Sequence, residues 1–256
     1  MRIGYLILFI WISNFCFGQL PENKDFSPEF KDEFLNSKWM DSTEYIDSIS
    51  KYDFSNILNT WHHNHALGYI GTHYQKFDIR FISIIKDSDT PLTYYVYGKS
   101  RVKNNIVDFQ GTIKLISAKK YKEQYFNDSI MGSTLGKYVF YENPNQNHVG
   151  KFKGYFTSYW LLDKVKKSLS FDDTSAGADG FCNNQFVGTW TPYGANSFKT
   201  CNWGEWRIPY SDELDNGAGI FSPVSKFDKH GWKDYMSSVM YKLKYKKEKP
   251  LEEWWK

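Results

Sequence analysis

QFVGTWTP, residues 185–192, has the form Phe, any residue, Gly, any residue, large apolar residue, and DFQGTIKL at 108–115 and KFKGYFTS at 151–158 have the same form. Alternate residues of an extended chain point to one face, so the Phe, Gly and apolar residue of each stretch share a face. Glycine weakens a strand unless the backbone bends there or another group packs closely against it. The repeated form is therefore typical of a curved antiparallel sheet that wraps around its own core as a small barrel.

The rest of the chain also alternates apolar and polar residues. In YQKFDIRFISII, Phe77, Ile79 and Phe81 alternate with charged residues, which predicts a strand with one buried and one exposed face. Further strands are predicted in TPLTYYVYGKSRV, NIVDFQGTIKLIS, GKYVFYE, GKFKGYFTSYWLL, NQFVGTWTP, SFKTCNWGEWRIP and SSVMYKLKYK. Turn-forming segments such as KDSDTP and ENPNQN separate them. We therefore expect an all-β fold, a curved antiparallel meander closing into a barrel, with a two-sheet sandwich as the alternative.

Residues 19–61 have a different pattern from the strand-forming part of the chain. SPEFKDEFLNSKW has Ser27 as an N-cap and Pro28 at the first helical position, which predicts a short helix. DFSNILN predicts another helical turn. We expect this helical or irregular segment to cover the mouth or flank of a single barrel-like domain formed by residues 62–256.

Residues 1–18, MRIGYLILFIWISNFCFG, have the layout of a secretory signal peptide. An arginine precedes an apolar run, and Gly18 stands at the expected cleavage point. The mature chain is therefore expected to begin near Gln19, in a secreted or periplasmic location, without a stable membrane span. The alternatives are an N-terminal core strand, a membrane anchor, or lipidation at Cys16.

The charge of the chain is close to balanced. It has 32 basic and 29 acidic residues, and loss of Arg2 with the signal lowers the formal charge from +3 to +2. A protein that binds a phosphate backbone needs a concentrated positive surface, and the most basic run, KLKYKKEK, alternates like a strand with a solvated lysine face. Nucleic acid is therefore not expected as a partner.

Two cysteines, Cys182 and Cys201, lie after the predicted signal. An even number of cysteines in an exported protein permits a disulfide. The turn-like PYGANS lies between them, so a hairpin would bring them opposite each other. We expect a disulfide, with two buried thiols as the alternative.

Two resemblances involve the same region. FVGTWTPYG resembles the Gly-any-Trp strand of lipocalin-like and avidin-like barrels over a handful of residues. NNQFVGTWTPYG, followed by CNWGEWRIPYSDELDNGAGIFSP, is similar to uncharacterised exported proteins from Bacteroidetes-type bacteria over most of residues 68–232. The first resemblance implies a lipocalin-like barrel, for which we expect roughly eight to ten strands. The second implies export and no particular activity.

Histidines are concentrated in WHHNHALGYIGTHY, residues 61–74, which holds four of the six in the chain. His63 and His65 share a face of an extended chain, and a hairpin at GYIG would bring His73 back toward His65. A third ligand would then be needed from elsewhere in the chain, and no HExxH pattern is present. We therefore expect no metal and no other cofactor. His63, His65 and His73 are the metal candidates, and His65 and His73 the candidate catalytic acid or base.

Aromatic residues make up 19% of the chain, more than one core normally needs. Tyr193, Trp203, Trp206 and Trp232 stand near predicted loops. We expect these four to line the mouth of the barrel and to stack on a ligand.

The expected function is a non-enzymatic binding protein for a small apolar or glycan-like ligand. A small-molecule hydrolase or isomerase is the first alternative, and a pocket that places His65 or His73 beside a carboxylate would favour it. Glu142, Glu205 and Asp173 supply carboxylates, but nothing in the sequence sets their separation. A structural surface module is the second alternative, which solid packing of the barrel would favour.

Overall fold

Strands dominate the computed structural model, which describes residues 22–59, 66–217, 219–238 and 253–256. The strands are β1 (Ala66–Ile70), β2 (Gln75–Lys86), β3 (Thr93–Val102), β4 (Asn105–Lys120), β5 (Ser129–Glu142), β6 (Gly150–Asp163), β7 (Ser168–Phe171), β8 (Asn183–Pro192) and β9 (Lys199–Glu205). The helices are α1 (Ser27–Leu35), α2 (Ile46–Ile49), α3 (Ser55–Leu58) and a 3-10 helix at Ser225–His230. The predicted signal peptide, residues 1–18, lies outside the described residues.

The strands form one antiparallel sheet that closes on itself. Eight of them have the order β5-β4-β3-β2-β1-β9-β8-β6, and β5 also pairs with β6, which joins the two ends of that order. β7 pairs with the last residues of β6, beyond the part of β6 that pairs with β8. The expected all-β fold with a closed antiparallel barrel is therefore confirmed, and the alternative of a two-sheet sandwich is wrong.

β1 joins the first and last parts of the barrel. It pairs with β2, its neighbour in sequence, on one side and with β9 on the other. The β1–β9 contact pairs Ala66 with Glu205 and Ile70 with Cys201, residues between 131 and 139 positions apart. Without this contact the ring would be open.

Two of the repeated glycines are paired on neighbouring strands of the barrel. Gly154 of β6 pairs with Gly188 of β8. A Cβ atom added to Gly154 would lie 2.1 Å from the carbonyl oxygen of Val187 and 2.8 Å from the phenol oxygen of Tyr138, both closer than packed atoms allow. Glycine at both positions therefore lets β6, β8 and the buried Tyr138 ring approach closely, as the repeated sequence form predicts.

Aromatic side chains fill the middle of the barrel. The Phe186 ring stacks on Phe156 and on Trp203, with ring centroids 4.9 Å apart in both pairs. The buried aromatic residues of this core include Phe77, Phe81, Tyr94, Phe109, Tyr138, Phe140, Phe152, Phe156, Trp160, Phe186 and Trp203. Because these rings pack against one another, the centre of the barrel is solid.

Residues 46–58, which contain α2 and α3, close one end of the barrel, and we call them the plug. Ile49, Phe54 and Ile57 of the plug are fully buried in the aromatic core. The backbone N–H of Phe54 donates to the phenol oxygen of Tyr94 at 3.1 Å. Lys86, at the end of β2, donates its ammonium to two plug carbonyls at 2.7 and 2.8 Å. The segment therefore covers one end of the sheet, as expected from its helical pattern.

Helix α1 begins one residue before the predicted start, with Phe26 at the N-cap position. Ser27 is the first helical residue, and Asp25 accepts hydrogen bonds from the Ser27 backbone N–H at 2.9 Å and from its hydroxyl at 2.6 Å. The prediction of Ser27 as the N-cap is therefore wrong by one residue. No helix among the described residues is both long and apolar enough to cross a membrane.

The C-terminal part of the chain packs against the outside of the barrel. Tyr69, Ile208, Leu214, Phe221, Phe227 and Trp232 form a second, smaller buried cluster. The predicted strand SSVMYKLKYK begins inside a helical segment at 233–238, so its first two residues contradict the prediction. The remainder of that predicted strand lies outside the described residues.

The expected disulfide between Cys182 and Cys201 is absent, and both residues are free cysteines. The strand register explains why. Cys201 pairs with Gly188, six residues beyond Cys182 along β8, which corresponds to roughly 20 Å of extended chain. A disulfide needs Cα atoms within about 7 Å, so the turn between β8 and β9 does not bring these two thiols together.

Candidate functional site

The end of the barrel opposite the plug is formed by four turns, which connect β1 to β2, β3 to β4, β5 to β6 and β8 to β9. Between them lies a cavity of about 600 Å³, which we call the mouth cavity. It is lined by Asn23, Ile70, Gly71, Thr72, His73, Gln75, Phe77, Ser100, Val102, Lys103, Asn105, Val107, Glu142, His148, Phe152, Trp190, Lys199 and His230. This volume suits a small organic molecule.

The floor of the mouth cavity is the upper surface of the aromatic core. Phe77 and Phe152 are buried, with ring centroids 5.6 Å apart, and both continue downward into contact with Trp203. Trp190 is 9% exposed. The filled core therefore limits any ligand to the mouth, where it would lie on aromatic rings.

One carboxylate is buried in this floor. Glu142 is 4% exposed, and one of its oxygens accepts a hydrogen bond from the Ser100 hydroxyl at 2.7 Å. The other accepts from the indole N–H of Trp190 and the backbone N–H of Gly150, both at 2.8 Å. Burial raises the pKa of Glu142, and these three hydrogen bonds oppose the rise. The result is a fixed acceptor at the base of the cavity.

The rim of the mouth cavity is basic. Lys103, Lys199, His73 and His148 are exposed, and His230 is half-buried. The imidazole rings of His73 and His230 lie parallel, with centroids 5.8 Å apart. The ammonium of Lys199 lies 5.4 Å from the centroid of the Trp190 ring. Basic side chains therefore surround an aromatic floor.

The pKa of His230 is lower than the ordinary value for histidine. Its pKa is lowered by partial burial and then by the positive charges of Lys229, His73 and Lys103. His230 is held in place because its backbone carbonyl accepts a hydrogen bond from the Gln75 side chain at 2.8 Å. Burial is the main cause of this shift, and the neighbouring positive charges act in the same direction.

Only one of the predicted histidines is described at this site. His73 lines the mouth cavity, beside His230 and at the end of the barrel where Glu142 lies. His63 and His65 fall within residues 60–65, outside the described residues. In the described part of the chain, no group of three histidine, cysteine or acidic residues is placed to hold a metal ion.

The four predicted aromatic ligand contacts are placed elsewhere. Trp203 is 1% exposed in the barrel core, and Trp232 is fully buried in the second cluster, where its indole donates to the carbonyl of Tyr74 at 2.7 Å. Trp206 packs between Phe171 and Phe181, beyond the plug end of β9. These three are therefore packing residues in the structure and do not line the mouth cavity.

Tyr193 comes nearest to the prediction. It is 40% exposed, and its hydroxyl donates to the backbone carbonyl of Glu142 at 2.7 Å. It thus supports the turn that carries Glu142 without lining the cavity. The aromatic residue that does form the floor, Trp190, is the apolar residue of the Phe-any-Gly-any-apolar pattern in residues 185–192, and this pattern predicts only the face of the strand on which it lies.

Two of the three candidate carboxylates lie far apart, and the third, Asp173, is exposed in the loop after β7. Glu142 lies in the mouth cavity, whereas Glu205 is buried near the plug, where it accepts a hydrogen bond from Asn184 at 2.9 Å. Asn184 also donates to the carbonyl of Ile57 in the plug. Glu142 and Glu205 therefore lie at opposite ends of the barrel and do not form a pair for hydrolysis.

No protein-family model, curated protein or solved structure matches this chain. Its class rests on its own geometry: an eight-stranded antiparallel barrel with a solid centre, a plug at one end and a lined cavity at the other.

Proposed function

We propose that this chain is a non-enzymatic binding protein that holds a small apolar or glycan-like ligand in the mouth cavity. The observation that carries the proposal is the buried Glu142 carboxylate on an aromatic floor, in a cavity of about 600 Å³. Apolar surface with a few fixed polar groups is the usual composition of small-molecule sites. An aromatic ring or the apolar face of a sugar would lie on Trp190, and a hydroxyl would donate to Glu142.

The hydrogen bonds of Glu142 favour binding over catalysis. A catalytic acid or base must exchange a proton with its substrate, whereas Glu142 already accepts three hydrogen bonds from the protein. A carboxylate has about four acceptor positions, which leaves room for one ligand donor. A ligand hydroxyl would complete the set.

An enzyme acting in the same cavity is the second candidate function. His73 and Glu142 line one cavity, which is the combination that favours a hydrolase or isomerase. Turnover of a bound small molecule that disappears in both His73→Gln and Glu142→Gln would support this function over simple binding.

The first test uses native mass spectrometry of the full chain, compared with the denatured chain. A mass lost on denaturation identifies a retained ligand, and the mass of the chain itself shows whether residues 1–18 have been removed. Removal would support the secreted or periplasmic location that the sequence of residues 1–18 predicts.

The second test uses the neutral fluorophore N-phenyl-1-naphthylamine. Thr72 lines the cavity from the turn between β1 and β2, and a tryptophan there would occupy the mouth. We expect saturable binding to the wild type and at least about tenfold weaker binding to Thr72→Trp. Thr90→Trp, in an exposed turn outside the cavity, is the control and should bind like the wild type.

Either of two results would contradict the binding proposal. One is fluorophore binding that Thr72→Trp leaves unchanged. The other is a wild type with no retained mass and no saturable binding, which would favour the structural module, whose expected solid packing the barrel core has.

A further inference from the structure

The charges around the mouth cavity are unbalanced. Among the described residues that line it, two lysines and three histidines face one carboxylate, Glu142. Glu142 lies in the floor with three hydrogen-bond donors around it, whereas both lysines are exposed on the rim. The rim therefore carries at least two positive charges, and more when the histidines are protonated.

The two rim lysines have no acidic partner in the described part of the chain. The ion pairs found there join other residues, and Glu142 is not within ion-pair distance of Lys103 or Lys199. Single solvated lysines are common on protein surfaces, but Lys103 in the β3–β4 turn and Lys199 at the start of β9 lie on opposite sides of one cavity. Two cations that face a shared apolar cavity favour a negatively charged guest.

The position of Lys199 links the charge to the apolar floor. Its ammonium lies 5.4 Å from the Trp190 ring centroid, and its side-chain stem passes the turn at Gly71. The Trp190 indole in turn donates to Glu142. A ligand lying on Trp190 would thus meet a cation at its outer end and a carboxylate at its inner end.

We infer that the ligand is an anionic small molecule, whose acidic group meets Lys103, Lys199 and the rim histidines while its apolar body lies on Phe77, Phe152 and Trp190. This inference rests on the proposed function and narrows its ligand class. A neutral sugar or hydrocarbon has no negative group to pair with the charges of Lys103 and Lys199. A cationic ligand would be repelled at the rim before it reached Glu142.

The test compares two fluorophores that differ by one acidic group. N-phenyl-1-naphthylamine is neutral, and 8-anilinonaphthalene-1-sulfonate has the same ring system with a sulfonate. We expect the wild type to bind the sulfonate more tightly, and Lys103→Gln/Lys199→Gln to weaken sulfonate binding about fivefold or more. Binding of the neutral compound should change less than about twofold, which shows that the floor is intact.

A matched control removes two lysines elsewhere. Lys114 and Lys137 are paired across β4 and β5, are exposed, and do not line the cavity. Lys114→Gln/Lys137→Gln makes the same change in net charge and should leave the affinity of both fluorophores unchanged. Added salt should weaken wild-type binding of the sulfonate and not of the neutral compound, because screening acts on charged groups.

The outcomes separate this inference from the proposed function. Suppose that both compounds bind equally, that Thr72→Trp blocks both, and that Lys103→Gln/Lys199→Gln weakens neither. The anionic ligand class is then wrong, while the proposed binding function stands. If neither compound binds saturably, both the ligand class and the proposed function are wrong. If both double variants weaken sulfonate binding equally, the effect comes from net charge, and the assignment to the rim is wrong.

Discussion

Glu142 is the last residue of β5, and residues distant in sequence determine its environment. Ser100 is 42 positions away and Trp190 is 48 positions away, yet both donate hydrogen bonds to its carboxylate. Nothing near Glu142 in the sequence indicates that it is buried. This is why the sequence offers it only as one of three equivalent carboxylates, and why the floor of the mouth cavity could not be predicted.

The buried carboxylate predicts a pH effect on stability. Since burial raises the pKa of Glu142 in the folded chain above its ordinary value of 4.5, the folded chain binds more protons than the unfolded chain between these two values. The stabilisation is complete below pH 4.5 and is lost as the pH rises through the folded pKa. The free energy of unfolding of the wild type, relative to Glu142→Gln, should therefore fall as the pH rises from 4.5 through the folded pKa.

Denaturant unfolding across this pH range measures the difference. Glutamine keeps an acceptor for Trp190 and Gly150, and the Ser100 hydroxyl can accept from its amide, so the variant should fold. Glu22→Gln, at an exposed position, is the control. If the difference in free energy of unfolding between the wild type and Glu142→Gln stays constant with pH, burial does not raise the pKa of Glu142.

Gly154 gives the second residue-scale prediction. A side chain there would meet the carbonyl oxygen of Val187 at 2.1 Å, and backbone cannot move aside as a flexible side chain can. We expect Gly154→Val to lower the free energy of unfolding by at least about 1 to 3 kcal/mol through overpacking. Gly177→Val is the control, because nothing lies within 4 Å of a Cβ at that loop position. Equal midpoints of thermal unfolding for the two variants would remove the steric argument.

The plug is the element that most directly ties the N-terminal segment to the barrel. It inserts apolar side chains from two short helices, which are too short to be stable on their own. Their stability must therefore come from the aromatic core that they cover. The plug and the barrel should unfold together.

Truncation of a plug side chain tests this coupling. Phe54 is fully buried, and Phe54→Ala should lower the free energy of unfolding by about 3 to 5 kcal/mol, because it leaves a cavity in the core. Leu35→Ala, at a 39% exposed position of α1, should change it by no more than about 0.5 kcal/mol. Urea unfolding monitored by tryptophan fluorescence measures both. A Phe54→Ala midpoint equal to that of the wild type would mean that the plug is not part of the cooperative core.

Alternation in the sequence predicts most strands, and its failures have a physical cause. β5 begins at Ser129, well before the predicted GKYVFYE. The first half of this strand escapes prediction because residues 131–136 are all buried and show no alternation of apolar and polar residues. β7 is only four residues long and half exposed, so it carries too little pattern to be recognised. A period of two reveals a strand only where one of its faces meets water.

On the scale of the whole molecule, many of the large aromatic side chains that the structure describes are packed in buried clusters. Trp203 is packed in the barrel core, and Trp232 is packed in the second, smaller cluster. The mouth cavity lies above the core, between the turns. The barrel could be predicted because its glycine and aromatic pattern is local. The mouth cavity could not, because it is assembled from four turns that are distant in sequence.

The β1–β9 contact has a consequence for the order in which the chain folds. Local pairs such as β2–β3 and β3–β4 can form early, but the ring closes only when Ala66 meets Glu205, 139 positions later. Contacts between residues this far apart slow folding, because a long loop must be ordered first. Until β9 arrives, β1 is an open edge with unpaired backbone groups, which is where chains associate wrongly. During synthesis, or after truncation before Lys199, the chain is therefore most prone to aggregate through the open edge of β1.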